Sequence, residues 1–296
     1  LEYELGFATL TANISNYDFE NEGAVDFTPI YQKFSFYEDA YGSNPRPLVQ
    51  DISRWNEEAD IFEARLSSDS DGDIDWTAGI YYMDQDSSID IEDSYLGYTD
   101  YSNACFDNGG AFGGAPCGYG TLFGLYGNNG GLIITEENKD LAYLSNSKNN
   151  FVDKAVFAEL TYRATDEWQT TIGFRRFYQE YKSIATAGLA FTPGAVVDDT
   201  STFEEEDTLF KFNTSYDLNE DTMTYLTISE GFRRGGANPL GTSAPEETHT
   251  YDSDQSTNYE LGIKGNIDQL YSYTVSAFYI DWEDVQLNSL CGDLSL

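Results

Sequence analysis

The stretch VFAELTYRATDEWQTTIGFRRFYQEYKS, Val156 to Ser183, decides the fold. Val156, Ala158, Leu160 and Tyr162 fall on one side of an extended chain, and Glu159, Thr161 and Arg163 on the other. Ala164 to Glu167 is short, polar and rich in turn-forming residues. After it, Gly173 and Arg175 share one side of a second run. A period of two follows from strand geometry. A helix does not fit, because charged residues break every apolar stripe at spacings of three and four. The stretch therefore predicts two antiparallel strands joined by a tight turn.

The same pattern recurs along the chain. Trp76, Ala78, Ile80 and Tyr82 alternate with Thr77, Gly79 and Tyr81. Phe210, Phe212, Thr214 and Tyr216 alternate with Lys211, Asn213, Ser215 and Asp217, and Tyr259, Leu261 and Ile263 with Glu260, Gly262 and Lys264. Further tight turns are expected near Ser68 to Asp73, Leu218 to Asp221 and Ile267 to Gln269. Long polar connections are expected at Asn21 to Ser53, Ser94 to Asn149, Ala185 to Thr202 and Gly235 to Asp254. Short turns at one end and long loops at the other are the asymmetry of an outer-membrane barrel. Trp76, Tyr162, Trp168, Tyr216, Tyr225, Tyr271 and Tyr273 stand beside the turns, as an interfacial girdle would. The expected fold is all-β: a transmembrane antiparallel up-and-down β-barrel, here a partial barrel of about nine strands, each near the roughly 10 residues that span a bilayer. Ala78, Ile80, Val156, Ala158, Leu160, Phe210, Phe212, Leu261 and Ile263 should share the convex face. Glu159, Arg163, Arg175, Lys211 and Lys264 should share the concave one. A soluble β-sandwich or β-solenoid also alternates, but strand length, loop asymmetry and the turn-side aromatics weigh against it.

Composition agrees. The 296 residues hold 15 Lys plus Arg against 52 Asp plus Glu, a formal charge of -37. Nucleic acid is excluded as a partner, since phosphate binding needs basic surface. The acidity reads as a solvated, self-repelling surface, or as an attraction for cationic ligands and divalent ions. Aromatic content of 16% argues against disorder. No apolar run approaches the roughly 18 residues of a membrane helix, which says nothing against a barrel. No initiator Met or signal-peptide pattern stands at Leu1, and both ends are expected to be truncated. Cys105, Cys117 and Cys291 show no CxxC spacing, so zinc is not expected. A Cys105–Cys117 disulfide across a Gly-rich stretch fits an oxidising compartment or the cell surface; pairing of Cys291 with either stays open.

Several segments in order resemble one family. YLTISEGFRRGGANP (Tyr225 to Pro239) resembles the strand-plus-loop of TonB-dependent outer-membrane receptors that carries an aromatic, Arg and paired Gly. NYELGIKG (Asn258 to Gly265) and SAFYIDWEDVQ (Ser276 to Gln286) resemble the two strands after it. TIGFRRFYQEYKS (Thr171 to Ser183), DIDWTAGIYY (Asp73 to Tyr82) and GFATLTANISNY (Gly6 to Tyr17) fit the same family. Residues 1–296 would then be one partial barrel domain from the middle of a barrel of roughly 22 strands in the family, without the N-terminal plug, the coupling box or the last strands. Arg176 departs from the family pattern, where an aromatic is usual. Alternation turns Arg176 toward lipid, and a bulge or a position above the hydrocarbon would relieve it.

The resemblance implies a receptor of the Gram-negative outer membrane, not an enzyme. Its partners would be outer-membrane lipid, the TonB complex acting through the plug, and a scarce small ligand, most often a ferric siderophore or other iron complex. Uptake of an oligosaccharide or cobalamin, a passive porin-like channel, and a soluble surface-binding β protein are the alternatives. Arg163, Arg175, Lys211, Lys264, Glu159 and Glu260 would line the lumen as a polar wall, with Arg175 a candidate ligand contact. Arg233 and Arg234, near a strand top, could meet an anionic ligand. Gly235 and Gly236 read as strand exit or bulge. His249 is the one histidine of the sequence and sits in a loop, whereas a metal or haem site needs several ligands, and Glu204, Glu205 and Glu206 read as a solvated edge rather than a calcium site. No nucleophile–base grouping or phosphate loop is present, and no cofactor or metal is expected.

Overall fold

The computed structural model describes residues 1–31, 48–69, 72–97, 140–189, 197–237, 249–267 and 270–287. These form β1 (Glu2–Glu4), β2 (Ala8–Asp26), a single helical turn α1 (Thr28–Tyr31), β3 (Val49–Ser68), β4 (Ile74–Tyr95), β5 (Leu141–Arg163) and β6 (Trp168–Leu189). They continue with β7 (Val197–Asn219), β8 (Thr222–Arg233), the short β9 (Gly236–Ala237) and β10 (Thr250–Tyr251), β11 (Asp254–Ile267) and β12 (Tyr271–Glu283). One antiparallel sheet runs β1-β2-β3-β4-β5-β6-β7-β8-β11-β12, and β9 pairs β10 apart from it. The nine long strands of this sheet match the expectation, and neighbours in sequence are neighbours in space. β1 and β12 each pair on one side only among the described residues.

Turn chemistry places the hairpins. Thr165 Oγ1 accepts from the backbone N–H of Glu167 at 3.2 Å and of Trp168 at 3.1 Å. Asn219 Oδ1 accepts from the Asp221 N–H at 3.0 Å. Both are side-chain-built turns.

Register fixes the faces, because directly opposed residues of a ladder share a side. One row runs Ala78, Ala158, Phe174, Phe210, and the next runs Trp76, Leu160, Ile172, Phe212, Ile228, Tyr259, Tyr279. On this side Leu160, Ile172, Phe174, Phe210, Tyr259 and Tyr279 stand open, Phe210 at 59% of full exposure, as do Ile80 and Leu261 of adjoining rows, with the other residues half-buried among them. Such a contiguous apolar surface is the lipid-facing belt of a barrel wall. Arg163, Glu159, Arg175, Lys211 and Lys264 lie on the other face. So do Phe151, Asp153, Ala155, Phe177, Gln179 and Ser183, all buried. Side chains converge and bury on the concave side of a curved sheet, so this second face is the lumen. Tyr225, placed near a turn by sequence, also faces inward: its ring covers Gly262, and its hydroxyl donates to Glu260 Oε1 at 2.5 Å.

β2 to β7 are about twice as long as alternation indicated, and β8, β11 and β12, of 12 to 14 residues, are close to it. β3 to β7 have 20 to 23 residues each, whereas the contiguous apolar run on the outward face ends within about ten residues of each short turn, the length that crosses a bilayer. Parts of the expected loops are therefore strand: Leu141–Asn149 belongs to β5, and β6 runs on to Leu189. The period-two signal vanishes there because polar residues stand on both faces. Outward positions become Asp18, Glu20 and Glu22 on β2, Glu58 and Asp60 on β3, and Asp84, Asp86, Asp90 and Glu92 on β4. Arg54 ties two of these stems, to Glu22 at 2.9 Å and Glu92 at 3.4 Å. These nine of the chain's 52 acidic residues thus stand as a collar beyond the belt.

Arg176 faces outward as alternation demands, in the row Ile80, Val156, Arg176, Thr208. No bulge interrupts either of its ladders. Its guanidinium reaches past the edge of the belt to Glu206 at 3.1 Å and Thr208 Oγ1 at 3.1 Å.

Candidate ligand site on the upper inner face

β7 and β8 part company midway. Their ladder ends at Lys211–Ser229, although β8 stays paired with β11 up to Arg233–Asp254. At the parting, the Glu230 carboxylate replaces a ladder acceptor and takes the Phe210 N–H at 2.8 Å. Above it the β8–β11 ribbon passes to the inner side of the wall. Phe232 stacks on the inner-face ring of Phe177, and Gln255 Nε2 donates to Asp207 Oδ2 at 3.0 Å. The wall thus laps over itself. Beyond the ribbon, β9 and β10 pack on β7. At Gly235 a Cβ would lie 2.3 Å from the Phe203 ring and 2.5 Å from the Tyr251 carbonyl oxygen, and only glycine admits that approach.

The lap sorts the three nominated arginines. Arg233 is committed to structure: Nε and Nη2 donate to Asp254 Oδ2 at 3.0 and 2.5 Å, and Nη2 also to the Gln286 carbonyl at 2.8 Å. Asp254 is 2% exposed and also accepts the backbone N–H of Arg233 and of Gln286. The Gln286 amide closes the clip on the carbonyls of Arg234 and Asp252, at 2.9 Å each. Arg175 lies lower on the wall, paired with Asp153 at 3.1 Å and 5.0 Å over the Tyr81 ring. Arg234 differs. Its guanidinium lies 4.3 Å over Phe151 and 5.5 Å over Tyr181, it is exposed, and no carboxylate pairs with it among the described residues. An exposed guanidinium held over two rings is preorganised for an anionic or chelating oxygen group.

Other expected lumen charges are paired. Lys211 Nζ meets Glu159 Oε2 at 2.9 Å, Arg163 bridges to Asp75, and Lys264 lies 5.9 Å over Tyr225. Glu204, Glu205 and Glu206 do not converge: Glu205 turns inward to the Ser253 hydroxyl, and its neighbours turn outward. Among the described residues no three His, Cys, Asp or Glu side chains gather as a metal site. His249 sits just before β10. Cys105, Cys117 and Cys291, and so the disulfide, lie outside the described residues. Sequence reasoning missed Asp254, Gln286, Phe177 and Phe232, because their roles exist only once the ribbon folds across the wall.

A one-sided lumen, an apolar outer belt, short turns and long polar stems define the wall of a transmembrane β-barrel. The description "TonB dependent receptor-like, beta-barrel" matches residues 3–295, and the chain belongs to that family, one of receptors and transporters rather than enzymes. It is similar to the ferric yersiniabactin uptake receptor FyuA from Yersinia pestis, with TM-score 0.63 and 15% identity over 97% of this chain and 35% of that one. It is similar to the siderophore receptor PiuA from Acinetobacter baumannii, with TM-score 0.53 and 11% identity over 94% of this chain and 38% of that one. The ferric citrate transporter FecA gives TM-score 0.52 and 12% identity over 95% and 33%. The chain spans about a third of the length of these receptors, and at such identities the likeness is one of fold.

Proposed function

We propose that this chain is wall from the middle of a longer barrel in a Gram-negative outer membrane, and that the whole receptor takes up a scarce ligand, a ferric siderophore or similar iron complex, driven by the TonB complex through a plug. The observation that carries the ligand class is Arg234, exposed and seated over the inner-face rings of Phe151 and Tyr181. That pairing suits an anionic chelate with aromatic or planar parts. Arg233 and Arg175 act behind it, one holding the lapped ribbon and the other the wall. The solved receptors for ferric yersiniabactin and ferric citrate share this fold and support the reading by analogy.

The test is uptake of radiolabelled ferric chelates by cells carrying the whole receptor, with and without functional TonB. Accumulation that needs both the receptor and TonB is expected. Uptake that persists without TonB would make it a passive channel. TonB-dependent uptake of oligosaccharide or cobalamin, with no response to iron chelates, would change the cargo and keep the mechanism.

A further inference from the structure

Asp153 on β5, Gln179 on β6 and Glu205 on β7 stand in one row of the inner face, for Asp153 opposes Gln179 and Gln179 opposes Glu205. Opposed residues hold their Cβ atoms roughly 5 Å apart, within mutual reach of such side chains. The lapped ribbon covers this row, leaving Asp153 7% and Gln179 8% exposed. One oxygen of each carboxylate is engaged: Asp153 Oδ2 takes Arg175 Nη2 at 3.1 Å, and Glu205 Oε1 takes the Ser253 hydroxyl. The remaining oxygens, Asp153 Oδ1, Gln179 Oε1 and Glu205 Oε2, are sealed from solvent with no donor. Three bare acceptors side by side are costly. Two carboxylates and an amide oxygen so placed do not satisfy one another, so the row lacks positive charge, and Arg175 pairs with only one of the two carboxylates.

We propose that the row binds a hard divalent cation, calcium by preference. The ligand set is all oxygen, which disfavours zinc and copper. Its three protein oxygens come from a flat row on three strands. Such a row suits the loose geometry of Ca²⁺, completed by water, better than the strict octahedron of Mg²⁺. Bound there, the ion ties β5, β6 and β7 together and, through Glu205 and Ser253, fastens the lapped ribbon to the wall. The inference rests on the buried row alone and is independent of the cargo.

The test uses the whole receptor, purified in detergent and stripped with a chelator. Ca²⁺ is titrated by calorimetry, and Tb³⁺ by its luminescence, sensitised through neighbouring Tyr81 and Tyr181. The acidic collar will bind ions weakly, so Gln179→Leu is decisive: it removes one oxygen and leaves every charge in place. One saturable step should weaken at least tenfold in Q179L and stay within about threefold, or tighten, in Q179E. Should Q179L fail to assemble, E205Q replaces it, with severalfold weakening expected. Wild-type binding by Q179L, or by E205Q where that stands in, would overturn the site, as would a crystal of the calcium-soaked receptor showing only water at the row. Loss of the step in Q179E as complete as in Q179L would overturn it too, by assigning the amide as a donor between two carboxylates.

Discussion

Phe232 lies flat on Phe177, with ring centroids 4.3 Å apart and planes 7° from parallel. In the regular part of β8, alternation sends Ile228 outward, and it would send Phe232 outward too. The ring instead reaches the inner face, because the ribbon has crossed behind β7. Phe177 is 2% exposed beneath it. Phe232→Ala should destabilise the folded barrel by roughly 2–4 kcal/mol, the cost of a large-to-small change at a packed ring plus the lost stack. Phe232→Leu should recover part of this. Guanidinium unfolding in detergent measures both, and an F232A protein as stable as wild type would show that the lap carries no packing energy.

Arg176 and Phe174 test the edge of the belt. Arg176→Leu should change stability by less than about 1 kcal/mol, since its Glu206 pair is half exposed on both sides and such pairs contribute little. Phe174→Arg, one outward position deeper, should cost about 2–4 kcal/mol. Refolding into lipid vesicles across a denaturant series compares them. Equal costs would mean that the hydrocarbon boundary is misplaced.

The adjacent arginines should separate cleanly. Arg233→Ala leaves the buried Asp254 carboxylate without its guanidinium and should destabilise the protein by about 2 kcal/mol. That lies below the range for fully buried pairs because Arg233 is half exposed and two backbone N–H donors remain. Arg234→Ala should leave stability within about 0.5 kcal/mol yet weaken binding of an anionic ferric chelate about tenfold or more. Arg234→Lys should rescue little, since an ammonium cannot lie flat on two rings. Unfolding curves and titrations of the purified receptor read the two effects separately.

Single cysteines should report the sides of the membrane. Introduced at Phe210 or Leu261, a spin label should be reached by apolar relaxation agents. At Asp84 or Asp86 a thiol should react with a membrane-impermeant maleimide on intact cells, and at Asp166, in a short turn, it should react only after the outer membrane is opened. Labelling of Asp166→Cys from outside would invert the orientation. On the same orientation, peptide mapping of unreduced protein should find Cys105 joined to Cys117.

The sequence alone determined the periodic part of the fold. Alternation in Val156 to Tyr162 or Phe210 to Tyr216 is a local property of a strand that has lipid on one side and water on the other, so the nine long strands, their faces and their short turns could be read directly. Sequence also turned Arg176 outward. It lost the strands where polar residues stand on both faces, because Leu141–Asn149 and the acidic stems of β2 to β4 show no apolar alternation; only the ladder to a neighbour makes them strand. The candidate site belongs wholly to tertiary structure. Arg233, Arg234 and Arg175 looked alike as cations near strand tops or in the lumen. The crossing of the β8–β11 ribbon behind β7 committed Arg233 to Asp254, placed Arg234 over Phe151 and Tyr181, and buried Gln179 between two carboxylates. Those contacts join residues about 20 to 80 positions apart, and no local periodicity encodes them.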